Sequence, residues 1–175
     1  LARVAGLSWE EIQAGLTRVG YGLRLVPVPG LNGSTLLDDS YNASPAATCA
    51  ALQALAALPR TGESAGRRIA VLGDMLELGS YEEQGHREVG RCAAQTVDWL
   101  ITVGARSHDT ADEARRAGLS AERVDSLEDT EAAVAALRNA LASGDVVLVK
   151  GSHSMGMDAV VRALRRPSAQ AEATA

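Results

Sequence analysis

The sequence predicts an α/β fold built on a doubly wound, mostly parallel sheet with one antiparallel edge hairpin strand. Three observations predict it. Ile69 to Leu72, Leu100 to Val103 and Val146 to Val149 are short, continuous apolar runs rich in β-branched residues, as suits strands buried on both faces of a parallel sheet. Stretches with helical patterning separate these runs, and such strand–helix alternation calls for a doubly wound domain. Ahead of them, Leu23 to Val28 and Ser34 to Asp39 read as antiparallel partners joined by Gly30-Leu31-Asn32-Gly33, Asn-Gly being a favoured hairpin pair. At 175 residues and 46% hydrophobic, the chain is long enough for one domain with a sizeable core.

The elements follow from local signals. Ser8-Trp9-Glu10-Glu11 has the Ser-x-x-Glu form of a capping box and opens an amphipathic helix through about Val19, because the serine and glutamate satisfy orphan N–H groups reciprocally. After the hairpin, Ser44 is placed to cap a helix with Pro45 at its first position, where a missing N–H costs nothing. That alanine-rich helix runs to Leu58, and its small side chains let it pack close to a sheet. Further helices are expected over 81–95, 109–117 and 127–141, a short strand over 123–125, and a last helix over 157–165. Pro167 to Ala175 is small and polar and reads as a frayed tail.

Composition excludes several classes. Sixteen arginines accompany a single lysine, Lys150, and 32 alanines accompany no phenylalanine, so the core is built from aliphatic side chains. A net charge of −5 argues against a general nucleic-acid binder. No apolar run approaches the roughly 20 residues that span a membrane, and no signal-peptide pattern stands at Leu1. Cys49 and Cys92 lack C-x-x-C spacing and read as buried free thiols, in keeping with a reducing cytoplasm. His86, His108 and His153 are scattered and offer no metal site. The start at Leu1, without methionine, suggests a piece of a longer protein.

In open α/β sheets, ligands bind outside the carboxyl ends of the strands, and the polar clusters of this sequence fall there. Asp38-Asp39-Ser40-Tyr41-Asn42 follows the first sheet strand and Gly73-Asp74-Met75-Leu76-Glu77-Leu78-Gly79 the second. Gly104-Ala105-Arg106-Ser107-His108 follows the third, and Lys150-Gly151-Ser152-His153-Ser154 the last. The usual phosphate signatures are missing. Gly73 is followed by an acid rather than by G-x-G-x-x-G spacing, and no G-x-x-x-x-G-K-[ST] occurs, so the chain has no P-loop to cradle a triphosphate.

The segment Asp38 to Pro45, the stretch Val71 to Gly79 and the run Val147-Leu148-Val149-Lys150-Gly151-Ser152 together resemble the C-terminal domain of the ATP-dependent Mur ligases. The resemblance covers about Leu23 to Leu164. It implies a Rossmann-like domain over 22–166, a remnant of the preceding central ATPase domain and linker over 1–21, and a flexible tail over 167–175. The order and spacing are most similar to members that add D-alanyl-D-alanine to UDP-N-acetylmuramoyl-tripeptide through an acyl phosphate, a cytoplasmic step of peptidoglycan synthesis. ATP and Mg²⁺ would then serve the full-length enzyme and neither would be held tightly by this chain. The P-loop and the catalytic residues would lie in the central domain, so the chain alone would be inactive, and Lys150 would not be a P-loop lysine. A sister folylpolyglutamate synthase would carry histidine where this chain has Tyr41, and a stand-alone binding domain without chemistry is the non-enzyme alternative.

Carried over residue by residue, the resemblance implies that Asp38 and Asp39 face the ATP ribose, where a carboxylate accepts from vicinal hydroxyls. Tyr41, Asn42, Lys150, Ser152, His153 and Ser154 would bind the dipeptide; an ammonium, hydroxyls and backbone N–H groups at a helix start suit its carboxylate. His153 stands where the family usually has arginine, which removes a permanent bidentate fork. Asp74 and Glu77 belong to a loop of the site or of a domain interface. Several of these positions have a plainer alternative: turn capping for the aspartates, an Asx turn for Asn42, N-capping for the serines, loop structure for Asp74 and Glu77. His86 reads as a packed or solvated histidine, and Glu82, Glu83, Arg87 and Arg91 as a solvated helix face.

Overall fold

The computed structural model describes residues 25–60 and 66–167. In chain order, the described residues form β1 (Val26–Pro29), β2 (Thr35–Asp39), α1 (Pro45–Ala57), β3 (Arg68–Gly73), α2 (Glu82–Ala94), β4 (Trp99–Val103), α3 (His108–Arg116), β5 (Val124–Leu127), α4 (Thr130–Arg138), β6 (Val146–Lys150) and α5 (Asp158–Leu164). One six-stranded sheet has the order β1-β2-β6-β3-β4-β5. Only β1 pairs antiparallel, along β2 at the edge; every other pairing is parallel. The predicted fold class is therefore observed, hairpin edge included. The expected helix through Val19, the start of the first strand at Leu23 and most of the tail lie outside the described residues.

Strand side chains alternate between faces, and that alternation sorts the core in two. Leu37, Ala70, Leu72, Leu100 and Leu148 meet Leu52 and Leu55 of α1, Val89 and Ala93 of α2, and Ala111 and Ala114 of α3. Leu36, Ile69, Val71, Ile101, Val147 and Val149 meet Ala133 and Leu137 of α4 and Val160, Val161 and Leu164 of α5. Each fully buried leucine contributes about 1.5–3 kcal/mol relative to exposure, so the small alanines set helix distance while the aliphatics supply the driving force. Gly90 lets α2 and α3 approach closely: a Cβ there would lie 2.5 Å from the Thr110 carbonyl.

Several boundaries differ from the sequence expectation. β1 begins at Val26 because Leu25 has a φ of 56°, and its two prolines are tolerated because the strand lies at the edge. The expected helix over 127–141 is shorter, since Leu127 closes β5 and the Asp129 side chain accepts from the Ala132 N–H at 2.8 Å, which fixes the start one turn later. The expectation of two free thiols is corrected: Cys49 and Cys92 form a disulfide across 43 residues of sequence, joining α1 to α2. Their spacing carried no hint because the sheet, not the sequence, makes those helices neighbours. Arg91 and Glu82 stay largely solvated, as expected, and pair across to Glu113 at 2.6 Å and Arg106 at 2.9 Å.

The amino ends of the strands are closed by ion pairs. Arg60 grips Asp98 through two hydrogen bonds of 2.7 and 3.1 Å, and Arg67 grips Asp145 at 2.6 and 3.2 Å. Burial pushes the Asp145 carboxyl up, but the bonds from the Arg67 side chain and from the Ala142 and Arg67 N–H groups outweigh it and hold the carboxyl below its ordinary value. Burial likewise pushes Asp98 up, and Arg60 with the Arg68 N–H brings it below the ordinary range. A cleft of about 380 Å³ lies here, lined by Arg60, Arg67, Trp99 and Asp125 among others. Its charges face each other, and the Trp99 indole N–H donates to Asp125 at 2.7 Å.

Candidate functional site

At the opposite, carboxyl edge, β2, β3 and β6 end side by side, and the loops that follow enclose a cavity of about 210 Å³. Tyr41, Asn42, Leu76, Glu77, Ser152 and His153 line it. Three of the four expected polar clusters thus meet at one place. The fourth, after β4, supports the others from beneath.

The floor is glycine. A Cβ on Gly73 would lie 2.8 Å from the Met157 sulfur, and one on Gly151 would lie 2.6 Å from Met157 Cγ. Fully buried Met157 therefore sits under the ends of β3 and β6, and both motif glycines are required for room rather than for backbone freedom. Gly104 combines both needs, with a φ of 101° and the Asp74 carboxylate 2.7 Å from where its Cβ would stand.

The loop after β3 is pinned along its length. The Asp74 carbonyl accepts from the Ser152 N–H at 3.0 Å, and its Oδ1 accepts from the Ser107 N–H at 2.7 Å. The Met75 N–H donates to His86 Nε2 at 3.1 Å, while His86 Nδ1 faces the Glu82 carbonyl at 2.9 Å. An accepting Nε2 leaves the proton on Nδ1, so both ring contacts are satisfied by one neutral tautomer. The Leu76 N–H donates to Ser152 Oγ at 2.8 Å, which leaves the serine's own hydrogen free to donate. Held at three successive residues, the loop places Glu77 at a φ of 63°, a conformation uncommon for any residue but glycine or asparagine and kept only where surroundings impose it.

Lys150 is not at the surface of this site. Its side chain is 0% exposed and Nζ lies 2.5 Å from Asp39 Oδ2, itself only 5% exposed, and 2.8 Å from the Asn42 carbonyl. The two residues are register partners at the ends of β2 and β6. Asp39, expected beside the ribose, is thus turned inward, and Lys150, expected on the dipeptide, anchors the turn that presents Tyr41 and Asn42. Asp38 is half-buried, and its Oδ1 takes the Ser40 N–H and hydroxyl at 3.1 and 2.6 Å; Oδ2 carries no hydrogen bond among the described residues.

Tyr41 is 66% exposed, and its ring meets that of His153 at a centroid distance of 5.2 Å. Asn42 Oδ1 accepts from the Ala43 N–H at 2.8 Å, leaving its amide group toward the cavity. Ser154 is exposed in the turn His153–Met155 and does not line the cavity. Neither serine caps α5, whose start at Met157 has no side-chain cap. Asp74 is buried and spent on its neighbours. Sequence reading did not anticipate the support given by Ser107, Met157 and His86. Only the glycines beside Asp74 and Lys150 carried a signal, by demanding a close neighbour.

Residues 23–153 match the family described as Mur ligase, glutamate ligase domain. The chain belongs to the Mur ligase family. The UDP-N-acetylmuramoyl-tripeptide–D-alanyl-D-alanine ligase of Escherichia coli is 37% identical over 169 residues, which cover 94% of this chain and 34% of that protein. The solved MurF of Acinetobacter baumannii superposes with a TM-score of 0.68 at 26% identity, over 92% of this chain and 34% of that one. The MurF ligase of Thermotoga maritima in complex with ADP shares the fold, with a TM-score of 0.63 at 24% identity over 93% of this chain and 34% of that one. The chain spans about a third of the length of the curated relatives it matches. The Mur ligase match takes in β2, β3 and β6 and ends at His153, so it contains every residue lining the cavity. No helix of the described residues is long and apolar enough to cross a membrane.

Proposed function

We propose that this chain is the C-terminal substrate-binding domain of an ATP-dependent carboxylate–amine ligase that joins D-alanyl-D-alanine to UDP-N-acetylmuramoyl-tripeptide in the cytoplasm, during peptidoglycan synthesis. The observation that carries the reading is the cavity at the carboxyl edge, walled by three motifs of the Mur ligase match. Its size suits a dipeptide of small side chains, and its walls offer an amide, two hydroxyls, an imidazole and a carboxylate. ATP with Mg²⁺, when bound by the complete ligase, supplies the activation of the tripeptide carboxylate. Asp38 Oδ2, without a hydrogen bond among the described residues, suits the hydroxyls of a ribose, and the central and N-terminal domains of the same enzyme would hold the rest of the nucleotide and the sugar-linked substrate. In this scheme Tyr41, Asn42, Ser152 and His153 hold and orient the incoming dipeptide. Lys150 and Asp39 keep their turn in place, and Ser154 lies on the outer rim.

Titration of the ¹⁵N-labelled chain with D-alanyl-D-alanine tests this. Resonances of Tyr41, Asn42, Ser152 and His153 are expected to shift together. Shifts confined to the cleft at Arg60, Arg67 and Trp99, or no shift at all, overturn the reading. The chain incubated with ATP, UDP-N-acetylmuramoyl-tripeptide and the dipeptide is expected to release no phosphate; turnover by the chain alone would contradict its role as a binding domain.

A further inference from the structure

We propose that Glu77 reads the ammonium end of the incoming dipeptide, and that the cavity is polarised for the amine rather than for the carboxylate of its ligand. The inference rests on the dipeptide reading above and adds the orientation and the residue that sets it.

The charges of the cavity carry it. Of the six lining residues, Glu77 alone is formally charged when histidine is neutral. The lysine expected to meet a carboxylate is enclosed and neutralised by Asp39. No lining residue is an arginine, because position 153 is histidine. The Ser152 N–H, another candidate for an anion, is donated to the Asp74 carbonyl. The Met155 and Gly156 N–H groups close their own turn. The one formally charged group left on the wall is an exposed carboxylate that takes part in none of the ion pairs among the described residues.

Backbone geometry points the same way. Glycine or asparagine would adopt a φ of 63° with less strain, yet a glutamate stands there, in a loop held on one side by His86 and on the other by Ser152. The strain is local and the loop is rigid, the arrangement expected where a side chain must be presented at a fixed point. A primary ammonium donates up to three hydrogen bonds, and Glu77 would take one. A charge-assisted contact of this kind typically changes affinity by about ten- to a hundredfold.

The test is a two-by-two comparison of dissociation constants by NMR, with wild type and Glu77→Gln on one axis and D-alanyl-D-alanine and its N-acetyl derivative on the other. Wild type is expected to bind the free dipeptide about tenfold or more tightly than the acetylated one. Glu77→Gln is expected to bring the free dipeptide down to the acetylated value and to leave the acetylated one unchanged. Should Glu77→Gln bind the free dipeptide within twofold of wild type, or should the acetylation penalty persist in the variant, the inference fails while the dipeptide reading stands. If wild type binds neither compound, both fail. The wild-type arm needs no substitution, and Glu77→Gly, which relieves the backbone, is expected to fold at least as stably and to lose the same preference.

Discussion

Replacing Lys150 by methionine should be among the most damaging single changes in this domain, because its side chain is fully enclosed. The substitution keeps the length and apolar stem of the side chain and removes the ammonium. It leaves the Asp39 carboxylate, 5% exposed, without its partner at 2.5 Å, and the Asn42 carbonyl without its donor at 2.8 Å. Breaking a buried pair from one side costs about 3–5 kcal/mol, a large share of the roughly 5–15 kcal/mol by which domains are stable. For a chain of this size that corresponds to a fall in Tm of roughly 6–20 °C. Asp39→Leu should cost a similar amount, because it strands the ammonium instead. The double variant, which removes both charges, should recover most of the loss and cost about 1–2 kcal/mol for the Asn42 carbonyl alone. Urea denaturation of the four proteins at neutral pH, followed by circular dichroism, closes the cycle. Additive single costs, or a Lys150→Met cost below about 1 kcal/mol, would refute the assignment of the pair as a buried anchor. Lys150→Arg should also destabilise, since the enclosed site has no room for a branched guanidinium.

Three further outcomes can be checked. Asp145 has a folded pKa below its unfolded one, so its contribution is present above roughly pH 4 and is lost as pH falls through the lowered value. Asp145→Asn should therefore cost about 1–3 kcal/mol at neutral pH and progressively less in acid, read from urea midpoints across a pH series. Opening the Cys49–Cys92 bond, which closes 43 residues of chain, should lower stability by about 2–4 kcal/mol. Dithiothreitol should shift the urea midpoint of wild type and leave a Cys49→Ala/Cys92→Ala variant unmoved. His86→Ala removes the acceptor for the Met75 N–H and opens a hole in a fully buried site, at a cost of about 2–4 kcal/mol. Hydrogen exchange at Met75 should quicken in that variant more than exchange in β3.

The sheet was legible because buried parallel strands are apolar on both faces, and runs such as Val146 to Val149 have no other comfortable home. The rim was legible too, since β2, β3 and β6 each end in a polar cluster. Depth was not. Lys150 follows four apolar residues, and its sequence neighbours cannot say whether its stem rises to solvent or turns inward to Asp39, 111 positions earlier. The pairing depends on β2 and β6 lying side by side, which is a property of strand order. The same blindness concealed the disulfide, whose halves sit on helices that only the sheet makes adjacent. Helix ends were misplaced where one side chain, that of Asp129, decides them.

The loops of the rim are stitched to one another rather than each to its own strand. Asp74 holds Ser152 and Ser107, Ser152 holds Leu76, and Met157 fits only while positions 73 and 151 both lack side chains. For protein engineering this sets the unit of exchange. A chimera that borrows a single loop from a relative severs stitches on both sides. Moving the selectivity of one such domain into another calls for the loops after β3, β4 and β6 to travel together, with residue 157 as part of the graft.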